Sequence, residues 1–177
     1  MSDQLTPPSI TVVRDTREQA PLKISAYPVV VQKLVVGDYG ILGFSDLVNP
    51  AFIVERKSLD DLVVSLTTER GRFMTEVQTM RRFRFAAVLV EGLPSDVWEK
   101  RYRSDATPQS VMASVDCLMV RCGIHMIWSL AELSAARQFE RLVRAFVGGV
   151  IRDHRLLFGN KIAEAGAVEQ KHGSASE

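Results

Sequence analysis

One stretch constrains the fold more than any other: residues 51–61, AFIVERKSLDD. Four apolar residues, Ala51-Phe52-Ile53-Val54, run straight into Glu55-Arg56-Lys57, and a helix start follows at Ser58. Strand side chains alternate between faces, so Glu55 and Lys57 face one spot and Arg56 faces away from it. Ser58-Leu59-Asp60-Asp61 puts a hydroxyl at the N-cap and a carboxylate three residues on, a capping-box arrangement. Leu59, Leu62, Val63 and Leu66 then give a helical apolar stripe. A carboxylate at the end of a buried strand suits a hard metal ion, and the amine beside it suits a water attacking a phosphate. Upstream, Gly37-Asp38-Tyr39 closes another apolar run and offers a second carboxylate to the same spot.

The rest of the chain is read around that stretch. Ile10 to Val13 predicts a short strand ending in Arg14-Asp15, and Pro21 and Pro28 bracket a turn-rich segment. Val29–Val31 and Leu34–Val36 are β-branched or apolar runs that predict strands leading into Gly37-Asp38. Ile41–Phe44 and Ala51–Arg56 read as an antiparallel hairpin connected through Asn49-Pro50. Phe73, Val77 and Met80 recur at helical spacing, and residues 85–90, FAAVLV, read as a strand buried in mid-sheet. Thr107-Pro108 opens a helix that Gly123 closes, and Ile124–Trp128 is another strand. Ser129-Leu130-Ala131-Glu132 predicts a second capping box and a helix to about Arg152. Strands alternating with helices after residue 51, and hairpins before it, predict an α/β fold: a three-layer mixed sheet flanked by helices. Residues 1–8 read as a flexible lead, 9–157 as one domain, and 158–177 as a polar, disordered tail.

Composition limits the function. The formal charge is +1 over 177 residues, so any nucleic-acid surface must be a local patch. Cys117 and Cys122 fit no zinc spacing in a chain with 3 histidines, and read as free buried thiols. No apolar run reaches the roughly 18 residues of a membrane span. The opening MSDQLTPPS lacks the basic and apolar regions of a signal peptide. The expected setting is cytoplasmic without membrane contact: nucleoid-associated in a bacterium or phage, nuclear in a eukaryote.

Gly37-Asp38-Tyr39, followed by Glu55-Arg56-Lys57 and, after three residues, Asp61, resembles the G-D-Y…E-R-K-x-x-x-D signature of XPF-family structure-specific endonucleases. Asp15-Thr16-Arg17-Glu18 is similar to that family's D-x-R-E strand end, and Gly71-Arg72 with the helix through Phe83 also resembles its pattern. The resemblance covers roughly residues 10–130. It implies a restriction-endonuclease-like nuclease core using Mg2+ or Mn2+, held by Asp38, Glu55 and the backbone carbonyl of Arg56. Lys57 is implied to orient or help deprotonate the attacking water and to stabilise charge on the phosphate. Arg17 and Arg72 are implied phosphate contacts, Asp15 binds metal through water or holds Lys57, and Asp61 stands between a second-layer role and simple capping. The implied activity is hydrolysis of DNA phosphodiesters at branched, flap or single-strand/duplex junctions in DNA repair or recombination.

The chain also departs from that family. Most members carry a tandem helix-hairpin-helix module, whereas about 27 residues follow Val150 here, too few and too polar for one. No G-x-x-x-x-G-K-[ST] phosphate loop is present. Substrate selection then falls to the nuclease domain alone, to a homodimer, or to a separate DNA-targeting partner. A non-catalytic DNA-binding scaffold subunit is the alternative, and a hydrolase of small phosphates a third reading. Each residue also has a purely structural reading: a turn aspartate at 38, a salt bridge from Glu55 to Lys57 or Arg17, a surface lysine at 57. Arg56 is expected in an ion pair on the opposite face. Arg70, Arg72, Arg81, Arg82 and Arg84 form either a phosphate surface or a solvated helix face. Trp98, Tyr102 and Trp128 read as core or interface residues.

Overall fold

The computed structural model describes the backbone of residues 10–172 and the side chains of residues 10–156. A six-stranded mixed sheet organises the first of two compact units, Met1–Glu140. Its strands are β1 (Val12–Arg14), β2 (Val29–Val31), β3 (Tyr39–Ile41), β4 (Phe52–Ser58), β5 (Phe85–Glu91) and β6 (His125–Ser129), in the order β2-β1-β3-β4-β5-β6. β4, β5 and β6 run parallel, β3 is antiparallel to both β1 and β4, and β2 pairs parallel with β1. The lead at residues 1–8 lies outside the described residues.

Helices α1 (Leu59–Leu66), α2 (Arg70–Met80), α3 (Pro94–Trp98) and α4 (Pro108–Cys122) follow the sheet strands, and α5 (Glu132–His172) closes the chain. Alternation along the strands separates two cores. Ile53, Ala86, Val88 and Val90 point to one face and join Leu62, Phe73, Val77, Val115 and Leu118 from α1, α2 and α4. Phe52 and Phe85 point to the other, where Phe52 stacks on Phe85 and meets Phe139 of α5. Helices on both faces of a mixed sheet give the three-layer, restriction-endonuclease-like fold expected from the sequence. The second unit, Arg141–Glu177, is by itself the continuation of α5 to His172.

The N-caps read at Ser58 and Thr107 are formed, although the Asp61 carboxylate accepts from Ser58 Oγ and not from Ser58 N. Ser58 Oγ accepts from Asp61 N at 3.1 Å, and Thr107 Oγ1 accepts from Ser110 N at 3.3 Å, with Pro108 in the first turn. Gly123 ends α4 in the left-handed region at φ +68°, which glycine adopts without Cβ strain.

Six expectations are corrected. Leu34–Val36 is no strand, because Leu34 N donates to the Asp15 side chain, at 2.5 Å, and not to a neighbouring strand. The hairpin strand is Tyr39–Ile41, not Ile41–Phe44: the chain turns at Leu42-Gly43, where Phe44 N donates to Ile41 O. β2 is a parallel neighbour of β1, so Val29–Val31 belongs to no hairpin, while β3 and β4 do form one. The last helix starts at Glu132, and Ser134 Oγ, not the Glu132 carboxylate, accepts from Ala131 N at 2.9 Å. It runs beyond Arg152 because Lys161-Ile162-Ala163-Glu164-Ala165 and Ala167-Val168-Glu169-Gln170-Lys171 are mostly strong helix formers. Of the tail expected at 158–177, the last residues, 173–177, lie outside the described residues. The thiols of Cys117 and Cys122 are free but only half-buried.

Candidate active site

The site forms where β1, β3 and β4 end together. Asp15 N, just past β1, donates to Asp38 O at 2.8 Å, and Asp38 N donates to Val54 O of β4 at 3.0 Å. Gly37 makes this crossing possible. Its φ is +76°, and a Cβ there would lie 2.7 Å from Ile53 Cγ1. Asp38 Oδ2 then accepts from Arg56 N at 2.8 Å. In a strand the N–H and C=O of one residue point to the same side, so the Arg56 carbonyl also faces Asp38.

Two clefts meet at this point, of about 180 and 370 Å³, and Arg17, Asp38 and Glu55 line both. Arg72, Glu76 and Gly37 complete the first. Glu18, Arg56, Ser58, Asp61 and Glu91 contribute to the second. Glu55 Oε1 lies 3.0 Å from Lys57 Nζ, which sits 5.0 Å from the centre of the Phe73 ring, so Lys57 is tucked between carboxylate and aromatic face. As alternation requires, Arg56 points the other way, its guanidinium donating to Glu91 Oε1 at 2.8 Å and to Ala20 O at 2.6 Å. That is the structural ion pair expected of it.

Burial, then the charge of Glu55, pushes the Asp38 carboxyl up to about 7. Burial likewise raises Glu55, against the pull of Lys57. Two carboxylates that resist ionising side by side form a site short of positive charge. Asp15 is the opposite case. Burial alone would raise it, but Arg17 and the Leu34 and Arg17 N–H groups hold it below the usual carboxylate range. Its Oδ1 accepts from Arg17 Nε at 2.6 Å and from Arg17 N at 2.8 Å. Asp15 lines neither cleft, and its carboxylate is taken up by Arg17 and the Leu34 N–H.

Among the described residues, no three His, Cys, Asp or Glu side chains gather closely enough to cage a metal ion. The oxygen donors on offer to a magnesium-sized cation would be Asp38, Glu55 and the Arg56 carbonyl, the donor type that such a hard ion takes. Asp61 is a cap that also borders the second cleft. The arginine cluster is dispersed. Arg70 donates to Leu66 O and Ser114 Oγ, and Arg81 to Gln78 Oε1. Arg84 N binds Pro50 O at the start of β5, about 20 Å of strand away from the end of β4. Only Arg72 of that cluster lines a cleft.

Two contributors went unread in the sequence as site residues. Phe73 supplies the surface beneath Lys57 and was marked only as an apolar position. Glu76 lines the first cleft, and its signal was the i, i+4 spacing to Arg72 on a stripe beside buried Phe73 and Val77. Trp98 is exposed, whereas Tyr102 is buried in the core and Trp128 packs against it.

Comparison with known proteins agrees with this fold. XPF from Aeropyrum pernix in complex with DNA is similar at 27% identity and a TM-score of 0.60, over 76% of this chain and 64% of that one. XPF from Aeropyrum pernix in another structure is 26% identical at a TM-score of 0.59, over 76% and 60%. The chain thus spans less than two thirds of the length of either structure. No curated protein matches. The sequence model of the ERCC4 domain matches residues 14–142, and the chain belongs to the ERCC4-domain family of nucleases.

Proposed function

We propose that this protein is a divalent-metal-dependent endodeoxyribonuclease that hydrolyses phosphodiesters at branched, flap or single-strand/duplex junction DNA, in repair or recombination. The observation that supports it most is the convergence of Asp38, Glu55 and Arg17 on both clefts, with both acids raised chiefly by burial, Asp38 further by the charge of Glu55 and Glu55 by that of Glu76.

Asp38, Glu55 and the Arg56 carbonyl would hold Mg2+ or Mn2+. A divalent ion there would supply Lewis-acid chemistry, acidifying the attacking water and offsetting charge on the phosphate. Lys57 Nζ, 3.0 Å from Glu55 Oε1, would hold the attacking water and offset charge on the phosphate. Phe73 keeps that ammonium from retreating into the core. Arg17, fixed through Nε by Asp15, presents the outer end of its guanidinium to a phosphate. Asp61 steadies the start of α1 beneath the second cleft. DNA is the partner. A homodimer or a separate targeting partner would supply junction selection.

The test is cleavage of labelled flap, fork, nicked and plain duplex DNA in magnesium or manganese, with Asp38→Ala and Glu55→Ala alongside. Metal-dependent cutting of the branched DNAs, lost in both variants, is expected. Binding without cutting by the wild type in either metal would leave a DNA-binding scaffold as the reading.

A further inference from the structure

Two arginines line the first cleft, and they are held in opposite ways. Arg17 is anchored by its inner nitrogen: Nε donates to Asp15, and Nη2 donates to Leu34 O at 3.3 Å. Nη1 of Arg17 has no hydrogen-bond partner among the described residues. Arg72 is held by both tips of its fork. Nη1 donates to Glu76 Oε1 at 2.8 Å, and Nη2 pairs with Glu69 Oε2. Those two tips are the donors that a bidentate phosphate contact uses.

Arg72 and Glu76 lie on one stripe of α2, with Glu69 at its N-cap, beside the buried stripe of Phe73, Val77 and Met80. The backbone of the stripe is therefore fixed by the core, while the three charged groups remain partly exposed. Glu76 has a second neighbour: its charge adds to the burial that raises Glu55. The first cleft thus holds three carboxylates, Asp38, Glu55 and Glu76, and one of them occupies the arginine best placed opposite Arg17.

We propose that Glu76 is a positioning residue that latches Arg72, with its carboxylate standing in for the DNA phosphate until substrate displaces it. This rests on the nuclease reading above. A free guanidinium would grip any duplex that approached the cleft. The latched one must exchange carboxylate for phosphate, so it adds affinity only where a phosphate is delivered close to the metal-binding acids. Glu76 then sets DNA affinity through Arg72, not through general repulsion.

A double-mutant cycle tests this. Binding of a fluorescent flap oligonucleotide is measured by anisotropy in calcium, for wild type, Glu76→Gln, Arg72→Ala and the double variant, with manganese-dependent cutting followed in parallel. Glu76→Gln is expected to tighten binding about two- to fivefold, the span of exposed ion pairs. Arg72→Ala is expected to weaken it and to reduce the salt slope by about 1. The gain from Glu76→Gln should vanish when Arg72 is alanine. An unchanged affinity in Glu76→Gln overturns the latch. So does an equal gain with and without Arg72, which would make Glu76 simple repulsion. If wild type binds and cuts but the cycle shows no coupling, the latch fails and the nuclease reading stands. If no protein binds or cuts DNA, the nuclease reading fails and takes the latch with it.

Discussion

At the scale of single residues, the site is defined by carboxylates held in unlike surroundings. Asp38 is pushed up to about 7, so between the ordinary carboxylate range and that value the folded protein holds a proton that the unfolded chain has lost. Metal-free stability contributed by this group therefore falls as pH rises through that window. Asp38→Asn should raise the melting temperature of the metal-free protein markedly at pH 8 and much less at pH 5. The expected gain is on the order of 1–3 kcal/mol. Equal melting shifts at the two pH values would contradict the assignment. Asp15, held below the usual range, works in the other sense: its contribution is present near neutrality and is lost as pH falls into the acid range. Removing it in Asp15→Ala strands the buried Leu34 N–H, at a cost of about 1–3 kcal/mol in denaturant melts. The role of Asp15 was hard to read from sequence because its partners are Arg17, two residues away, and Leu34, nineteen away. A strand pattern at 34–36 gives no sign that a distant side chain will capture its backbone.

At the scale of elements, the passage from β4 through Ser58 into α1 is what fixes the site, and it was legible almost residue by residue. An apolar run, an alternating charged triplet and a capping serine each specify local geometry without help from distant parts of the chain. The same holds for α4 between Thr107 and Gly123. Sheet order was not legible, because three-residue strands such as β1, β2 and β3 take their pairing from tertiary packing rather than from their own pattern. The turn at Gly37 links the two kinds of information. Gly37→Ala forces a Cβ toward Ile53 in a left-handed backbone, and should cost about 2 kcal/mol while shifting Asp38 away from Arg56 N. A variant that melts like wild type would show that the crossing is not constrained as described. Phe73→Leu keeps an apolar filler but removes the ring under Lys57, so its activity should fall by more than its stability does.

At the scale of the whole molecule, a formal charge of +1 leaves little long-range attraction for a polyanion. No helix among the described residues is long and apolar enough to cross a membrane. On the function proposed above, affinity for DNA would come from the cations at the clefts. The logarithm of the binding constant should fall against the logarithm of salt with a slope of about −2, for Arg17 and Arg72. A slope steeper than about −5 would place the main DNA surface elsewhere. All of these statements depend on Asp38 and Glu55 gathering a cation, and manganese binding reports on that with no DNA present. The decisive measurement is the free manganese signal in electron paramagnetic resonance, titrated against wild type, Asp38→Asn and Glu55→Gln. Saturable binding by wild type, lost in both variants while they remain folded, is the predicted result. Binding by both variants at wild-type affinity would contradict a metal centre at this crossing of β1, β3 and β4.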